Sequence, residues 1–254
     1  LTRTINGGST VTVAYDTLSR VDTLTNPLDT FDYAYVNNTA RLDYVDYPNT
    51  QRVDFDYYPN TPVVGGTGNG DRRLQTIRNL GVGSGGTGSA LSRFDYQYNI
   101  IGQITEWQQE HSAMAQPQKY LLGYDAADQL TFGTLKNATT GAVLKEYGFG
   151  YDLAGNRTQD QTDQRPRSAS YKTLNQLTSR GNASEMMIRG TVNEPASLTI
   201  TNGSTTVAAN VQTDGQFTAK VPVTAGTNNT LEFRAKDASG NETTPAKKSK
   251  PSSP

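Results

Sequence analysis

The sequence predicts an all-β protein built from tandem β-hairpins, followed by a small β-sandwich. Three observations carry that prediction: period-two alternation of aromatic and apolar residues, turn signals at regular intervals, and a change of pattern near residue 184. Alternation is clearest in Phe94, Tyr96, Tyr98, in Tyr120, Leu122, Tyr124 and in Tyr147, Phe149, Tyr151. Successive strand side chains point to opposite faces, so such runs fit half-buried strands. The chain has 254 residues, enough for one large or two small domains. Its 24 Gly and 14 Tyr, with many Thr, Asn and Val, favour strands and turns over disorder.

The hairpins form a repeat. VTVAYDTLSRVDTL (11–24), FDYQYNIIGQITEW (94–107), YLLGYDAADQLTFG (120–133), YGFGYDLAGNRT (147–158) and SASYKTLNQLTSR (168–180) align on a strand-ending tyrosine. FDYAYVNNTARLDY (31–44) and VDFDYYPN (53–60) are degenerate copies. The repeat tyrosines are Tyr15, Tyr35, Tyr57, Tyr98, Tyr124, Tyr151 and Tyr171, spaced by 20, 22, 41, 26, 27 and 20 residues. A self-similar unit of this size cannot bury a face alone and is stabilised by stacking on its neighbours.

After each tyrosine comes a short turn, then Arg or Gln, then a second alternating strand. In Asp152-Leu153-Ala154-Gly155 the carboxylate opens a type I turn and can accept backbone N–H bonds, while glycine suits the left-handed position. The turn formers read this way are Asp16, Asn99, Gly102, Asp125, Asp152 and Gly155; Lys172 to Asn175 keeps only the tolerant Asn. A catalytic group would not recur at every repeat, nor give way to Asn and Lys, so Asp152 is read as a turn former. The glycine-rich stretches at 63–71 and 81–89 are read as surface loops. The first lacks the Gly-Lys-Ser/Thr ending and following helix of a phosphate loop.

From Ser184 the style changes. MMIRGTV (186–192), ASLTI (196–200), TTVAANV (205–211), FTAKVPV (217–223) and NTLEFRAKD (229–237) are short strands joined by turn signals at Asn202-Gly203, Asp214-Gly215 and Ala225-Gly226. The expected organisation is a hairpin region at 1–183, a sandwich at 184–244 and a flexible basic, Pro/Ser-containing tail at 245–254.

The pattern Tyr-Asp-x-x-Gly-Asn/Arg, best kept at Tyr151 to Arg157 and supported by Tyr15 to Arg20 and Tyr124 to Gln129, resembles the YD repeat of the RHS-repeat family. The resemblance covers about residues 1–180. It implies a curved, spiralling sheet that forms a shell, which in RHS toxins and the C component of toxin complexes encloses a C-terminal toxin, and in teneurins serves adhesion. No match to the family's shell-closing, self-cleaving core segment is found, so encapsulation and autoproteolysis are not carried to residues here. Gly190 to Ala196 and Ala235 to Thr243 resemble bacterial Ig-like domains. The expectation is thus a non-enzymatic structural segment, part of a shell or scaffold wall in a large bacterial surface or secreted protein, located outside the cell or on its surface.

Alternative readings are an adhesion module that binds glycan or protein, and a filament subunit. The expected partners are the remainder of a larger polypeptide, or identical subunits by β-edge pairing, with a cell-surface glycan or protein as a further possibility. Net charge is −1, which gives no footprint for nucleic acid. No stretch approaches the length needed to span a bilayer, so no membrane insertion is expected. Absence of cysteine excludes disulfides and thiolate chemistry. No catalytic residue, cofactor or metal is expected. His111, the lone histidine, is read as an exposed inter-hairpin loop residue. Asp43, Asp46, Asp54 and Asp56 alternate with apolar residues and are read as a solvated strand face, not a calcium site. Asp237 to Asn241 is read as a turn and the aromatic ladder as packing within the sheet.

Overall fold

The computed structural model describes residues 2–5, 9–61, 68–224, 227–243 and 246–251. Among these residues, apart from one 3-10 turn at Ser84–Gly86, the regular structure is all β. Two compact units divide the chain: Leu1–Leu122 with Leu135–Leu144, and Gly123–Thr134 with Lys145–Pro254. No helix among the described residues is long and apolar enough to cross a membrane.

The hairpin strands are β1 (Thr2–Ile5), β2 (Ser9–Tyr15), β3 (Val21–Asn26), β4 (Asp29–Tyr35), β5 (Leu42–Asp46), β6 (Arg52–Tyr57), β7 (Leu74–Leu80), β8 (Ala90–Tyr98), β9 (Ile104–His111), β10 (Gln118–Tyr124), β11 (Leu130–Asn137), β12 (Val143–Tyr151), β13 (Arg157–Thr162), β14 (Arg165–Tyr171) and β15 (Leu177–Asn182). They follow one another in chain order through an antiparallel sheet. Every repeat tyrosine ends a strand. Where the register is defined, that strand end carries a β-bulge, pairing Tyr15 with Val21, Tyr35 with Leu42, Tyr57 with Leu74, Tyr98 with Ile104, Tyr151 with Arg157 and Tyr171 with Leu177.

Directly paired residues share a face, so the register separates two chemistries in the first unit. One row runs Phe55, Ile77, Phe94 and the next runs Tyr96, Trp107, Tyr120. The opposite face carries Asp56, Thr76, Asp95, Gln108 and Lys119. Few side chains in this part of the sheet are buried, among them Val45, Thr76 and Leu80. His111 ends β9 opposite Ser92 and is exposed; the expected loop therefore starts one residue later.

The sandwich strands are β16 (Glu185–Thr191), β17 (Ala196–Asn202), β18 (Thr205–Ala208), β19 (Asn210–Val211), β20 (Gln216–Pro222), β21 (Asn228–Asp237) and β22 (Ala246–Pro251). They make a three-stranded sheet, β16-β20-β19, and a four-stranded sheet, β18-β17-β21-β22. Between them lies a core of Met186, Ile188, Leu198, Ile200, Phe217, Val221 and Leu231. Burying such aliphatic side chains is worth about 1.5–3 kcal/mol each, so the sandwich has the stronger apolar driving force. Ala246–Pro251, expected within a flexible tail, pairs with β21 as a strand. The Ala225-Gly226 turn lies outside the described residues.

Candidate functional site

The repeated turn is the most developed local feature. Asp152 N–H donates to the Asn156 carbonyl at 3.0 Å, and Gly155 N–H donates to the Asp152 carbonyl at 3.0 Å. The Asp152 carboxylate accepts from the N–H groups of Ala154 and Asn156, each at 2.9 Å, and from the Asn156 side-chain amide at 2.9 Å. The backbone pattern recurs at Asp16–Arg20, Asn99–Gln103, Asp125–Gln129 and Lys172–Gln176. Asp16, Asn99 and Asp125 accept from the turn backbone as Asp152 does. Gly102 and Gly155 adopt φ of 95° and 82° at the fourth position, where Ser19, Asp128 and Asn175 hold the same left-handed region near 60°.

Three further turns share this backbone geometry without a Tyr-Asp pair: Tyr47–Gln51, Gln212–Gln216 and Asp237–Asn241. The last repeats the side-chain bonds too, with Asn241 Nδ2 donating to the Asp237 carboxylate at 2.7 Å. In Asp152 and Asp237 the following Asn side chain, then its backbone N–H, holds the carboxyl below the ordinary carboxylate range; in Asp16 the Arg20 N–H is the leading cause. Each carboxylate is engaged by the backbone of its own turn.

The repeat tyrosines reach beyond their own hairpins. Tyr35 donates its hydroxyl to the Val21 carbonyl at 2.8 Å, Tyr98 to Leu74 at 2.8 Å, Tyr151 to Leu130 at 2.9 Å and Tyr171 to Arg157 at 3.1 Å. Val21, Leu74 and Arg157 are the bulge partners of the preceding repeat tyrosines. One residue earlier, the turn-closing side chain reaches forward. Arg20 donates to the carbonyls of Asn37 and Thr39, Arg73 to Asn99 and Ile100, and Asn156 to the Asn175 side chain. Arg20 and Arg73 also lie over the rings of Tyr35 and Tyr98, at 4.4 and 5.7 Å. Consecutive hairpins are therefore tied by a hydroxyl strut in one direction and a turn strut in the other. Tyr57 keeps the ring contact, with Arg41 over it at 4.8 Å, but the hydroxyl bond comes from neighbouring Tyr58, which donates to the Tyr96 carbonyl. Tyr15 is half exposed, and Tyr124 ends β10 with its hydroxyl titration pushed up by burial.

Other sequence candidates take structural places. Asp46 forms a two-bonded ion pair with Arg52, and Arg78 bridges Asp54 and Asp56 at 3.6 and 2.6 Å. Trp107 stacks on Tyr120 at 5.2 Å and tilts against Phe94 at 6.4 Å. Rings stacked on one another along the sheet present edges outward, which suits packing better than a sugar platform. Residues 63–67 of the first glycine-rich stretch lie outside the described residues. Beyond them Gly68 donates to the Tyr98 carbonyl, and Asn69 accepts from the Tyr98 N–H. The second stretch is closed by Gly81 N–H donating to the Ser89 carbonyl at 2.8 Å.

An open cavity of about 590 Å³ lies where the turn after Tyr57 is lengthened, with Arg41, Tyr57, Asn60, Arg72 and Gln75 on its walls. Arg72 and its neighbour Asp71 both hold left-handed φ, 57° and 53°.

A second feature was invisible in the sequence. Gln159 and Gln161 on β13 are buried, at 8% and 7% exposure. Gln161 Oε1 accepts from Met187 N–H at 2.8 Å, while its Nε2 donates to the Met187 carbonyl at 3.0 Å and to the Asp163 carbonyl at 2.9 Å. Gln159 Nε2 donates to the Glu185 carbonyl at 3.0 Å. The two amides stand in for a neighbouring strand along β16, an edge strand of its sheet. Alternation in β16 sends Met186 and Ile188 into the sandwich core and Met187 and Arg189 the other way. Arg189 lies over Phe132 at 3.8 Å and donates to the Thr134 hydroxyl at 3.3 Å, and burial lowers its pKa. Gly148 leaves room for Met187: a Cβ there would sit 2.8 Å from the Met187 methyl.

No known family profile matches the chain, and no curated protein matches it. Among solved structures it is similar to a chain of the TcdB2-TccC3-Cdc42 crystal structure, at 12% identity and a TM-score of 0.28 over 98% of its length. It is also similar to a chain of the Photorhabdus luminescens Tc holotoxin pore, at 13% identity and a TM-score of 0.26, again over 98%. In both cases the chain spans 14% of the length of the structure it matches.

Proposed function

We propose that this chain is a non-enzymatic structural segment, a stretch of hairpin-repeat wall with a sandwich fastened to it, within a larger bacterial surface or secreted protein. The carrying observation is the hydroxyl strut. In four hairpins the strand-ending tyrosine bonds the carbonyl of an earlier return strand, so the residues that define the repeat are spent on joining repeats. Asp152, the residue most open to a catalytic reading, has its carboxylate engaged by its own turn. The test is cryo-electron microscopy of the longest natural polypeptide that contains the segment. The expected result is these strands continuous with flanking strands in one wall; a segment tumbling freely on flexible linkers would overturn the reading.

A second reading, recognition of a glycan or protein partner, is favoured by the cavity beside the lengthened turn. Insertions into a repeat map to loops and are often the binding face. Arg41 and Arg72 share its walls with Asp43, Asp56, Asn60 and Gln75, so hydrogen-bonding groups of both signs face a polar ligand. Saturable binding on a glycan array, lost in Arg72→Ala, would favour it over the wall alone.

A further inference from the structure

The struts define a rule that the last hairpin leaves half satisfied. Val21, Leu74 and Arg157 each pair with a repeat tyrosine at a bulge, and each then accepts the hydroxyl of a later tyrosine. Leu177 is the bulge partner of Tyr171 and stands next in this series. Its carbonyl accepts no such hydroxyl among the described residues. The turn-closing residue before it, Gln176, occupies the place from which Arg20, Arg73 and Asn156 reach forward, and it is exposed. β15 is the last strand in its sheet order, and all six of its residues are exposed. Leu174 and Leu177 are 77% and 57% exposed beside it.

We propose that the outer edge of β15 is a docking edge for a β-hairpin of this same repeat carried by another polypeptide. Its strand-ending tyrosine donates to the Leu177 carbonyl, and Gln176 reaches the incoming turn. The proposal rests on the structural reading above and names the partner of that wall. Sheet edges present unpaired N–H and C=O groups and accept a strand by backbone pairing. Alternation narrows the partner. In each hairpin a strand ending in tyrosine is followed by a return strand, and β15 is a return strand. The strand beside it must therefore end in tyrosine. β1 of a second copy contains no tyrosine, so head-to-tail stacking through β1 leaves the Leu177 carbonyl unserved.

The test uses the full chain and a synthetic peptide of residues 147–162, closed as a hairpin by a terminal disulfide. Hydrogen exchange of the Leu177–Asn182 amides is expected to slow when the peptide is added. The same peptide with Tyr151→Phe should bind about fivefold more weakly, the loss of one hydrogen bond, and Gln176→Ala in the chain should weaken binding of the Tyr peptide. Protection appearing at β1 instead, equal binding of the two peptides, or no binding would each overturn the proposal. These failures differ from a failure of the wall reading, which would show as silent tyrosine replacements inside the chain.

Discussion

Replacing Gln161 with Leu removes the amide while nearly keeping the volume. Three hydrogen bonds vanish, and the Met187 N–H and carbonyl lose their partner at a site where the Gln161 side chain is only 7% exposed. A net hydrogen bond is worth about 0.5–1.5 kcal/mol, and a stranded buried polar group costs about 1–3 kcal/mol. Better apolar packing by Leu offsets part of that, leaving an expected loss of about 2–4 kcal/mol. With a urea slope of about 2 kcal/mol/M, the midpoint should fall by about 1–2 M. Far-UV circular dichroism would follow the transition, and exchange of the Met187 amide would localise the effect. Gln159→Leu, which loses one bond to Glu185, should cost about 1 kcal/mol. A Gln161→Leu protein with unchanged midpoint and unchanged Met187 protection would refute the claim that the glutamines hold β16.

Gly123→Ala should destabilise more than Gly148→Ala. A Cβ on Gly123 would lie 2.0 Å from the Phe132 ring, whereas at Gly148 it meets the flexible Met187 methyl at 2.8 Å; overpacking costs about 1–3 kcal/mol, and denaturant midpoints of the two variants decide the order. The depressed carboxyls of Asp16, Asp152 and Asp237 give a signed pH effect. A folded pKa below the unfolded value means stability is present above the ordinary Asp value of about 3.9 and is lost as pH falls through the folded values. Replacing Asp152 with Asn should flatten that acid limb in a urea series at stepped pH; an unchanged limb in a triple Asp16→Asn, Asp152→Asn, Asp237→Asn protein would contradict it.

Strands and turns were legible because their signals are local. Alternation marked β8, β10 and β12, and Asp152 with Gly155 announced its turn through side-chain acceptors and a left-handed residue. Serine, aspartate and asparagine fill the same position at Ser19, Asp128 and Asn175, so the geometry extends further than its glycine signature. The turn at Tyr47–Gln51 escaped notice because it lacks the Tyr-Asp pair, whereas Asp237–Asn241 was legible as a turn from its Asp, Gly and Asn and has the same backbone pattern. The struts were not legible. They join Tyr98 to Leu74 and Arg73 to Asn99, and such partners depend on which strands become neighbours. The glutamine clamp was hidden for another reason. Gln159 and Gln161 flank Asp160 in a polar run that reads as solvent-facing, and only the docked β16 edge makes them buried. β22 escaped because its basic, proline-containing composition describes a tail when read alone, while pairing with β21 is a tertiary matter.

The central claim is that the repeat tyrosines join hairpins through their hydroxyls. The direct measurement compares the unfolding free energies of Tyr98→Phe and Tyr15→Phe with the parent chain. Tyr98 donates to the Leu74 carbonyl at 2.8 Å, whereas Tyr15 is 52% exposed and makes no such bond among the described residues. The expected result is a loss of about 0.5–1.5 kcal/mol for Tyr98→Phe, with faster exchange of the β7 and β8 amides, and no change for Tyr15→Phe. Equal effects at the two positions, or none at Tyr98, would contradict it.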